Sequence, residues 1–447
     1  MDVIKTPQRI EVKELLVKIL PIAVTTLSLA ISGLIHADDN EYILYQEGTG
    51  NTAMGDQSDP TISNNLIEQT QIGDNNIAEA SQSNGNTNGV IIQYQEGDTN
   101  DVFAFQDGTT DSSGIMTIVG DNNQGATQQT STSNTTMEYT ITGSNNTGGS
   151  FQTLTSNSIM EFTITGDNNI GSSFQQNSDS VSLVVDINGN DNIASTFQED
   201  SSNTSIVIQQ TGDSNIVSGF DDDGSADNSV VNIQQGNSNT INFVHDVSFN
   251  QNDTIEQYGD DNFSGSSSNN TSGSTSYLLQ VGDQNNSFIL YNDSANITAS
   301  IIQEGSSNNA DTLLSQAFDS NSSVTQTGDN NDSLLAQSGS SHYAEIIQID
   351  DLNTIDAEQS SFDAYLYAVQ SGEDNLISSL QDGDSESATL NQTGSLNEID
   401  LTQSGQQDTA ILSQDGNNNF LMVTQTGFND SINVTQLGDN NSATYMQ

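Results

Sequence analysis

The chain has 447 residues, of which 60 are acidic and only four are Lys or Arg, so its formal net charge at pH 7 is −56. All four basic residues lie within the first 18 positions. The rest of the chain cannot form Lys or Arg salt bridges, and we expect no binding of nucleic acid or anionic membranes. The absence of Cys excludes disulfides and Cys-based metal sites. Charge of one sign often indicates disorder; the alternative is a regular fold stabilised by backbone pairing and screened by cations.

The first predicted element is a signal peptide over residues 1–37. A basic stretch ends at Lys18, an apolar run follows over 19–35, and Ala37 supplies a small residue at the expected cleavage point. An uncleaved membrane anchor is the alternative, but the run is short for a membrane span and contains Ser and Thr. No later segment is apolar for long enough, so we expect an exported protein with no membrane span after signal removal.

The remainder of the chain is a tandem repeat. A Gly in a pattern close to Gln-x-Gly-x-x-Asn recurs from Gly48 to Gly438 at steps of 22 to 25 residues, with Asp350 replacing Gly once. An Asn stands three positions after each of these 18 markers. Self-similarity at such a period is typical of a solenoid. We assign residues 38–60 to a first repeat with a Pro-containing linker, and residues 61–447 to the repeat array.

Each unit is predicted to contain two strands joined by turns. Polar and apolar residues alternate on both sides of the Gly turn, for example over 431–436 and 441–447, and a period of two is typical of a strand with one face inward. Gly, Asn and Asp in the turns tolerate left-handed backbone. One unit cannot bury its apolar face alone, whereas stacked units can. The sequence therefore predicts an all-β fold, a cross-β solenoid of about 18 stacked strand–turn–strand repeats.

Large amides recur on the inward face of these strands. In a stack, Gln would lie above Gln and Asn above Asn, so that each amide bonds to the next, as in cross-β assemblies. Such a ladder offsets the cost of burying an amide. His245 occupies one Gln position, and in four consecutive units Ile118, Ile141, Ile164 and Ile187 occupy the first Gln position of the unit. The predicted ladder residues are Gln46, Asn51, Gln57, Gln326, Asn331, Gln337, Gln370, Asn375, Gln381, Gln392, Asn397, Gln403, Gln414, Asn419, Gln425, Gln436, Asn441 and Gln447.

This spacing resembles the curlin repeat of curli fibre subunits, roughly Ser-x5-Gln-x-Gly-x-x-Asn-x-Ala-x3-Gln. Residues 46–57 fit its Gln-to-Gln part at every fixed position, and residues 436–447 fit equally well. The resemblance covers essentially the whole chain after the signal peptide. It implies a secreted functional amyloid of the bacterial biofilm matrix, whose subunits pass an outer-membrane pore unfolded and assemble end to end on the cell surface. The implied partners are further copies of the chain, other curlin-like subunits, and export and nucleation proteins.

Acidic turns suggest an alternative function. Asp follows the marker Gly in many units, and stacked carboxylates offer the oxygen ligands that Ca²⁺ prefers. Ordinary turn preference explains the same residues without an ion. The weak calcium candidates are Asp74, Asp121, Asp167, Asp213, Asp283, Asp329 and Asp439. A calcium-stabilised monomeric solenoid would be an adhesion or binding module; otherwise we expect no cofactor, only nonspecific Ca²⁺ or other cations.

No motif indicates catalysis. The sequence lacks the signatures of Ser hydrolases, zinc peptidases, P-loop proteins and dinucleotide-binding proteins. No pair of carboxylates stands out as an acid–base couple. A polysaccharide lyase on a β-helix is disfavoured, because the repeats have no Lys or Arg to bind acidic sugars. We therefore expect a non-enzymatic, extracellular structural protein that forms or joins amyloid-like fibres for biofilm matrix, adhesion and aggregation.

Overall fold

The structure is a computed structural model that describes residues 39–222 and 224–447. The secondary structure of these residues consists of 36 β-strands. Within the same part of the chain, no helix is long and apolar enough to cross a membrane. The predicted signal peptide, residues 1–37, lies outside the described residues.

Successive strands alternate between two parallel sheets of 18 strands each, here called the odd sheet and the even sheet. The odd sheet contains β1 Glu41–Glu47, β3 Leu66–Ile72, β5 Val90–Glu96, β7 Ser113–Val119, β9 Thr136–Thr142, β11 Ile159–Thr165, β13 Ser182–Asn188, β15 Ser205–Thr211, β17 Ser229–Gln235, β19 Asn252–Tyr258, β21 Thr275–Val281, β23 Thr298–Glu304, β25 Asn321–Thr327, β27 Tyr343–Ile349, β29 Tyr365–Ser371, β31 Ser387–Ser395, β33 Thr409–Asn417 and β35 Ser431–Leu437. The even sheet contains β2 Thr52–Asp56, β4 Ile77–Ser83, β6 Asp101–Asp107, β8 Gln124–Thr130, β10 Thr147–Thr153, β12 Ile170–Gln176, β14 Ile193–Glu199, β16 Ile216–Asp222, β18 Thr240–Asp246, β20 Phe263–Asn269, β22 Asn286–Asn292, β24 Asn309–Phe318, β26 Asp332–Ser340, β28 Thr354–Phe362, β30 Leu376–Gln381, β32 Glu398–Gln403, β34 Phe420–Gln425 and β36 Ser442–Met446.

Each strand pairs with the strand two places further along the chain. Glu41 of β1 lies opposite Leu66 of β3, and Thr52 of β2 lies opposite Ile77 of β4. One odd strand, one even strand and their two turns form one layer, and 18 layers stack. The prediction of an all-β solenoid with about 18 repeats is therefore confirmed. Parallel pairing places equivalent residues of successive repeats above one another.

The repeat shortens by one residue inside the even sheet. Leu314 of β24 lies opposite Gln337, whereas Ala317 lies opposite Gly339, and the register shifts between these two pairs. A bulge in β24 takes up the extra residue. Equivalent residues are 23 positions apart just before this point and 22 positions apart after it.

The core lies between the two sheets. In β27, exposed and buried side chains alternate, so that Ala344, Ile346 and Gln348 point inward. Equivalent apolar residues form a continuous cluster from Val102 to Val434. Removing this surface from water is the main favourable contribution to folding.

The marker Gly lies in the turn from the odd strand to the even strand, here called the first turn. At Gly259, where φ is +125°, a Cβ atom would lie only 2.1 Å from the carbonyl oxygen of Gly282 in the next layer. Layers therefore approach so closely at this turn that a side chain is excluded. Asp350 replaces the marker once, with φ at 72°.

Candidate functional site

The odd sheet contains a ladder of buried glutamines. Each side-chain Nε2 donates to Oε1 of the Gln in the next layer, and the ladder runs without a break from Gln210 to Gln436 at distances of 2.8–3.1 Å. A separate short run joins Gln46 to Gln71 and Gln95. The predicted residues in this column are Gln46, Gln326, Gln370, Gln392, Gln414 and Gln436.

The even sheet contains a second ladder of the same polarity. One run extends from Gln57 to Gln198, and another extends from Gln337 to Gln447. The predicted residues in this column are Gln57, Gln337, Gln381, Gln403, Gln425 and Gln447. Many of these amides also donate to a backbone carbonyl across the core, as Gln348 Nε2 does to Asp332 at 2.9 Å. The ladders thus connect layers and also connect the two sheets.

The interruptions of the two ladders do not overlap. The odd column carries Ile118, Ile141, Ile164 and Ile187 in four layers, and the even column carries Asp221, His245, Ser268, Tyr291 and Leu314 in the next five. Every layer therefore keeps at least one ladder Gln. A Gln–Gln bond therefore joins each layer to the next except between the layers of Gln198 and Gln210, where Gln198 Nε2 and Gln210 Oε1 have no hydrogen-bond partner.

A third ladder of asparagines lies at the first turn and runs through all 18 layers. The backbone N–H of each Asn donates to Oδ1 of the Asn in the preceding layer, for example Asn123 to Asn100 at 3.0 Å. The Asn Nδ2 donates to the marker carbonyl of the following layer, as from Asn123 to Gly143 at 2.7 Å. This double contact explains why Asn, a donor and an acceptor, stands there. The predicted residues in this column are Asn51, Asn331, Asn375, Asn397, Asn419 and Asn441.

The predicted calcium candidates form a column on the outside of the first turn. Each of the seven accepts a backbone N–H from the preceding layer at 2.7–2.9 Å. At Asp74, the hydroxyl and the N–H of Thr49 lower the pKa of the carboxyl. Among residues 39–222 and 224–447, no cluster of three or more acidic or His side chains is arranged to hold a metal ion. The Asp side chains therefore have a contact within the stack that needs no ion.

An ionic contact crosses the core at the fully buried His245. Its Nε2 lies 3.0 Å from Asp253 Oδ2, and Ser266 donates to the same carboxylate oxygen at 2.7 Å. Burial lowers the pKa of His245, but the hydrogen bond and charge of Asp253 outweigh burial and leave it raised. Burial raises the pKa of Asp253, and His245 with the two nearby Ser hydroxyls reverses this effect. The sequence predicts His245 in a Gln column, but Asp253 was not predicted. The inward position of Asp253 in the alternation of β19 is the sequence signal for it.

The two terminal layers of the described stack present inward-facing side chains. Tyr42 and Leu44 of β1 are 42% and 43% exposed, and Tyr445 of β36 is 43% exposed. Each Gln ladder has a donor-to-acceptor direction. In the first layer Gln46 donates to the next Gln and its Oε1 has no ladder donor, whereas in the last layer Gln447 accepts and its Nε2 has no ladder acceptor. The terminal layers thus differ in both shape and hydrogen-bonding character.

A column of acidic residues on the opposite turn was also missed. Glu386, Asp408 and Asp430 occur five positions after Gln381, Gln403 and Gln425, the spacing at which Asn follows Gln in the marker motif. That spacing is the sequence signal for the column. Glu386 and Asp408 are buried.

These features define a class, a two-sheet parallel β-solenoid whose layers are linked by amide ladders. Within that class, the family model of the curlin associated repeat matches residues 319–349 and 395–427. These two segments therefore match the curlin repeat that the sequence predicts, and this supports a structural, curli-like fibre protein. A comparison with curated proteins finds no significant match.

Proposed function

We propose that the protein is a secreted subunit of an extracellular, amyloid-like fibre that grows by end-to-end addition of copies and contributes to biofilm matrix, adhesion and aggregation. The observation that carries this proposal is the direction of the Gln ladders. A second copy that continued the repeat would place Gln46 after Gln436 and Gln57 after Gln447, so that donors meet acceptors in both sheets. A copy added in the reverse orientation would place ladder donors against donors, or acceptors against acceptors.

The side chains of the terminal layers favour the same arrangement. Continuation of the register would set Ala53 against Ala443 and Gly55 against Tyr445. Ala53 and Gly55 are small, and the Tyr42 ring of the same layer packs against Gly55, where a Cβ would lie 2.2 Å from that ring. The unpaired backbone groups of an edge strand are a ready template for a further strand. Among the described residues, β1, β2, β35 and β36 each have a single ladder partner.

The remaining parts of the proposal follow from the sequence and the curlin repeats. Residues 1–37 would direct export, and the protein would act on the bacterial cell surface together with export and nucleation proteins and other curlin-like subunits. Cations from solution would screen the acidic columns without a dedicated site. The role is structural and not catalytic.

The test uses seeded elongation of purified protein, followed by electron microscopy. Val434 is inward-facing in β35 and Thr435 is outward-facing, so Val434→Lys and Thr435→Lys add the same charge to opposite faces. We expect Val434→Lys to abolish elongation from wild-type seeds, because it buries an unpaired charge in the junction, and Thr435→Lys to elongate. Wild-type protein that stays monomeric with seeds at high salt, or a Val434→Lys variant that elongates normally, would overturn the proposal.

A further inference from the structure

The second turn, which links each even strand to the next odd strand, carries acidic side chains in the last three layers. The residue directly before the odd strand is Glu386, Asp408 or Asp430. Backbone bonds hold these positions in register, since the Ser387 N–H donates to the Asp408 carbonyl oxygen at 2.9 Å and the Thr409 N–H to that of Asp430 at 2.8 Å. The three side chains therefore form a column.

Glu386 is enclosed by the stack. Its side chain is 1% exposed. Oε2 accepts the N–H of Gly383 in its own turn at 3.1 Å, and Oε1 accepts the N–H of Gly405 in the following layer at 3.0 Å. Both carboxyl oxygens are thus held against backbone.

Asp408 is buried to the same degree but is only partly paired. The residue is 0% exposed, and its Oδ1 accepts the Asp430 N–H at 2.9 Å. Its Oδ2 has no hydrogen-bond partner. A buried oxygen without a partner is costly, and more so when it is charged.

Both carboxyls lie beside a carbonyl oxygen of the following layer. A Cβ atom built on Gly405 would lie 2.5 Å from Asp408 Oδ2 and 2.1 Å from the Gly427 carbonyl oxygen. A Cβ built on Gly383 would lie 2.3 Å from Glu386 Oε1 and 2.1 Å from the Gly405 carbonyl oxygen. Ionised carboxylates and carbonyls only accept hydrogen bonds. The carboxyl oxygen and the neighbouring carbonyl oxygen can therefore form a hydrogen bond only when the carboxyl is protonated.

The asparagine ladder supplies that hydrogen at the equivalent place on the first turn. A Cβ built on Gly189 would lie 3.1 Å from Asn192 Nδ2 and 1.8 Å from the Gly212 carbonyl oxygen. Asn192 Nδ2 donates to that oxygen at 2.7 Å. A neutral carboxyl has one O–H donor and one free acceptor, and it can therefore replace the amide, whereas a carboxylate cannot.

We propose that Glu386 and Asp408 are proton-dependent clamps: the neutral carboxyl donates its O–H to the carbonyl oxygen of the following layer and closes the C-terminal layers, and the ionised carboxylate loosens them. The proton comes from solvent and returns to it. As a means of regulating growth, the clamp rests on the proposed fibre function, because these layers receive the next copy.

The electrostatic surroundings agree with this geometry. Burial raises the pKa of Glu386 to about 7; the N–H groups of Gly383 and Gly405 oppose this rise, and the charges of Asp408 and Asp382 add to it. The pKa of Asp408 is also raised, by burial and then by the charge of Asp430, against the Asp430 N–H.

Within the part of the chain that the structure describes, the charges that act on Glu386 and Asp408 are all negative. The preceding layer carries the uncharged Ala364 at the equivalent position. The charges of Asp408 and Asp382 act on Glu386, and the charge of Asp430 acts on Asp408.

The sign of the pH effect follows from the raised values. An unfolded Glu releases its proton near its ordinary pKa of 4.5, whereas folded Glu386 retains it up to about 7. Between these values the folded layer binds more protons than the open one, so its stability falls as pH rises. The contribution is complete below about pH 4.5 and is lost above about pH 7.

The test is hydrogen–deuterium exchange, read by mass spectrometry, over the last layers of the soluble monomer at about pH 5 and about pH 8. After correction for intrinsic exchange, we expect wild-type protection of residues 383–409 to fall at least about tenfold at the higher pH, since each unit of pKa shift corresponds to about tenfold. The double variant Glu386→Gln/Asp408→Asn carries permanent donors and should keep its protection at both values.

The control variant is Glu398→Gln/Asp415→Asn, which removes two exposed charges from the same layers. It should retain the wild-type pH dependence. Equal wild-type protection at both pH values, or a pH-dependent amide variant, would overturn the clamp. Exchange in the monomer is independent of fibre growth, so a failure of the proposed function leaves this readout intact. If the amide variant elongates from seeds at pH 8 as fast as the wild-type protein does at pH 5, the clamp is linked to growth.

Discussion

The absence of a Cβ atom at the marker Gly allows the layers to approach closely at the first turn. The marker Gly combines positive φ with a neighbouring carbonyl that lies where a Cβ would be. Positive φ alone does not require Gly, because Asn75, Asn122 and many other residues of these turns adopt it. The steric contact between layers is therefore the stronger constraint.

We predict that Gly259→Ala destabilises the array much more than Gly85→Ala. Both residues have positive φ, but a Cβ at Gly85 would meet nothing within 4 Å, whereas one at Gly259 would meet the Gly282 carbonyl. The control should cost about 1–2 kcal/mol for a left-handed non-Gly residue, and Gly259→Ala should exceed this. Chemical denaturation measures the difference, and equal midpoints would contradict the steric explanation.

The strands act as elements of a ladder, and each ladder Gln depends on both neighbours. Gln303 accepts from Gln280 and donates to Gln326. Gln95, in contrast, accepts from Gln71, and the next layer carries Ile118. The layer of Gln303 has Leu314 in its even strand, whereas the layer of Gln95 also has a Gln in its even strand.

Replacing Gln303 with Ile should therefore cost more than replacing Gln95 with Ile, because the layer of Gln95 keeps Gln–Gln bonds in its even strand and the layer of Gln303 does not. Each change also removes hydrogen bonds to neighbouring Gln side chains and backbone carbonyls, at about 1–3 kcal/mol for each buried group. Ile is already present in this column at four layers, so its size is compatible with the fold. Hydrogen exchange of the neighbouring strands measures the cost; a larger loss at Gln95 would contradict ladder coupling.

At the scale of the whole molecule, the charge opposes the stacking that the ladders favour. The formal net charge is −56, and the described repeats contain no Lys or Arg. Parallel stacking sets acidic turns of successive layers close together, and a second copy would extend that column. Screening by dissolved ions is the available compensation.

Elongation should consequently accelerate with ionic strength. The Debye length falls from about 30 Å at 0.01 M to about 10 Å at 0.1 M salt, so repulsion between an end and an incoming copy should weaken sharply over that range. Seeded growth in NaCl, with sucrose as an uncharged control, measures this effect. Growth rates that do not change with salt would show that repulsion does not limit addition.

The sequence predicted the fold because its information is periodic. Gly and Asn at a fixed spacing define the layer, and alternation around Gln326 or Gln436 defines the inward face. The breaks in the pattern were harder to interpret. Asp253 is one acid among 60. Only the structure shows that Asp253 of β19 contacts His245 of β18. The bulge after Leu314 depends on cross-strand register, which no single strand specifies.

The candidate site was predicted in part for the same reason. The Gln and Asn columns follow from identical residues at identical positions. The acidic column at Glu386 required a comparison of the two halves of one repeat, since the second turn varies in sequence elsewhere. Its burial depends on how tightly adjacent turns stack, which composition does not reveal.

The one-to-one register between layers also bears on how such a gene changes over time. Every ladder contact joins a residue to its equivalent one turn away. If one whole turn is duplicated or lost, the turns that remain can therefore make the same contacts with one another. Loss of a partial turn would instead shift inward residues outward. Recombination between repeats can therefore lengthen or shorten the protein in whole turns while its cross-section stays constant. The bulge in β24, where 23-residue turns give way to 22-residue turns, joins two such arrays of different period.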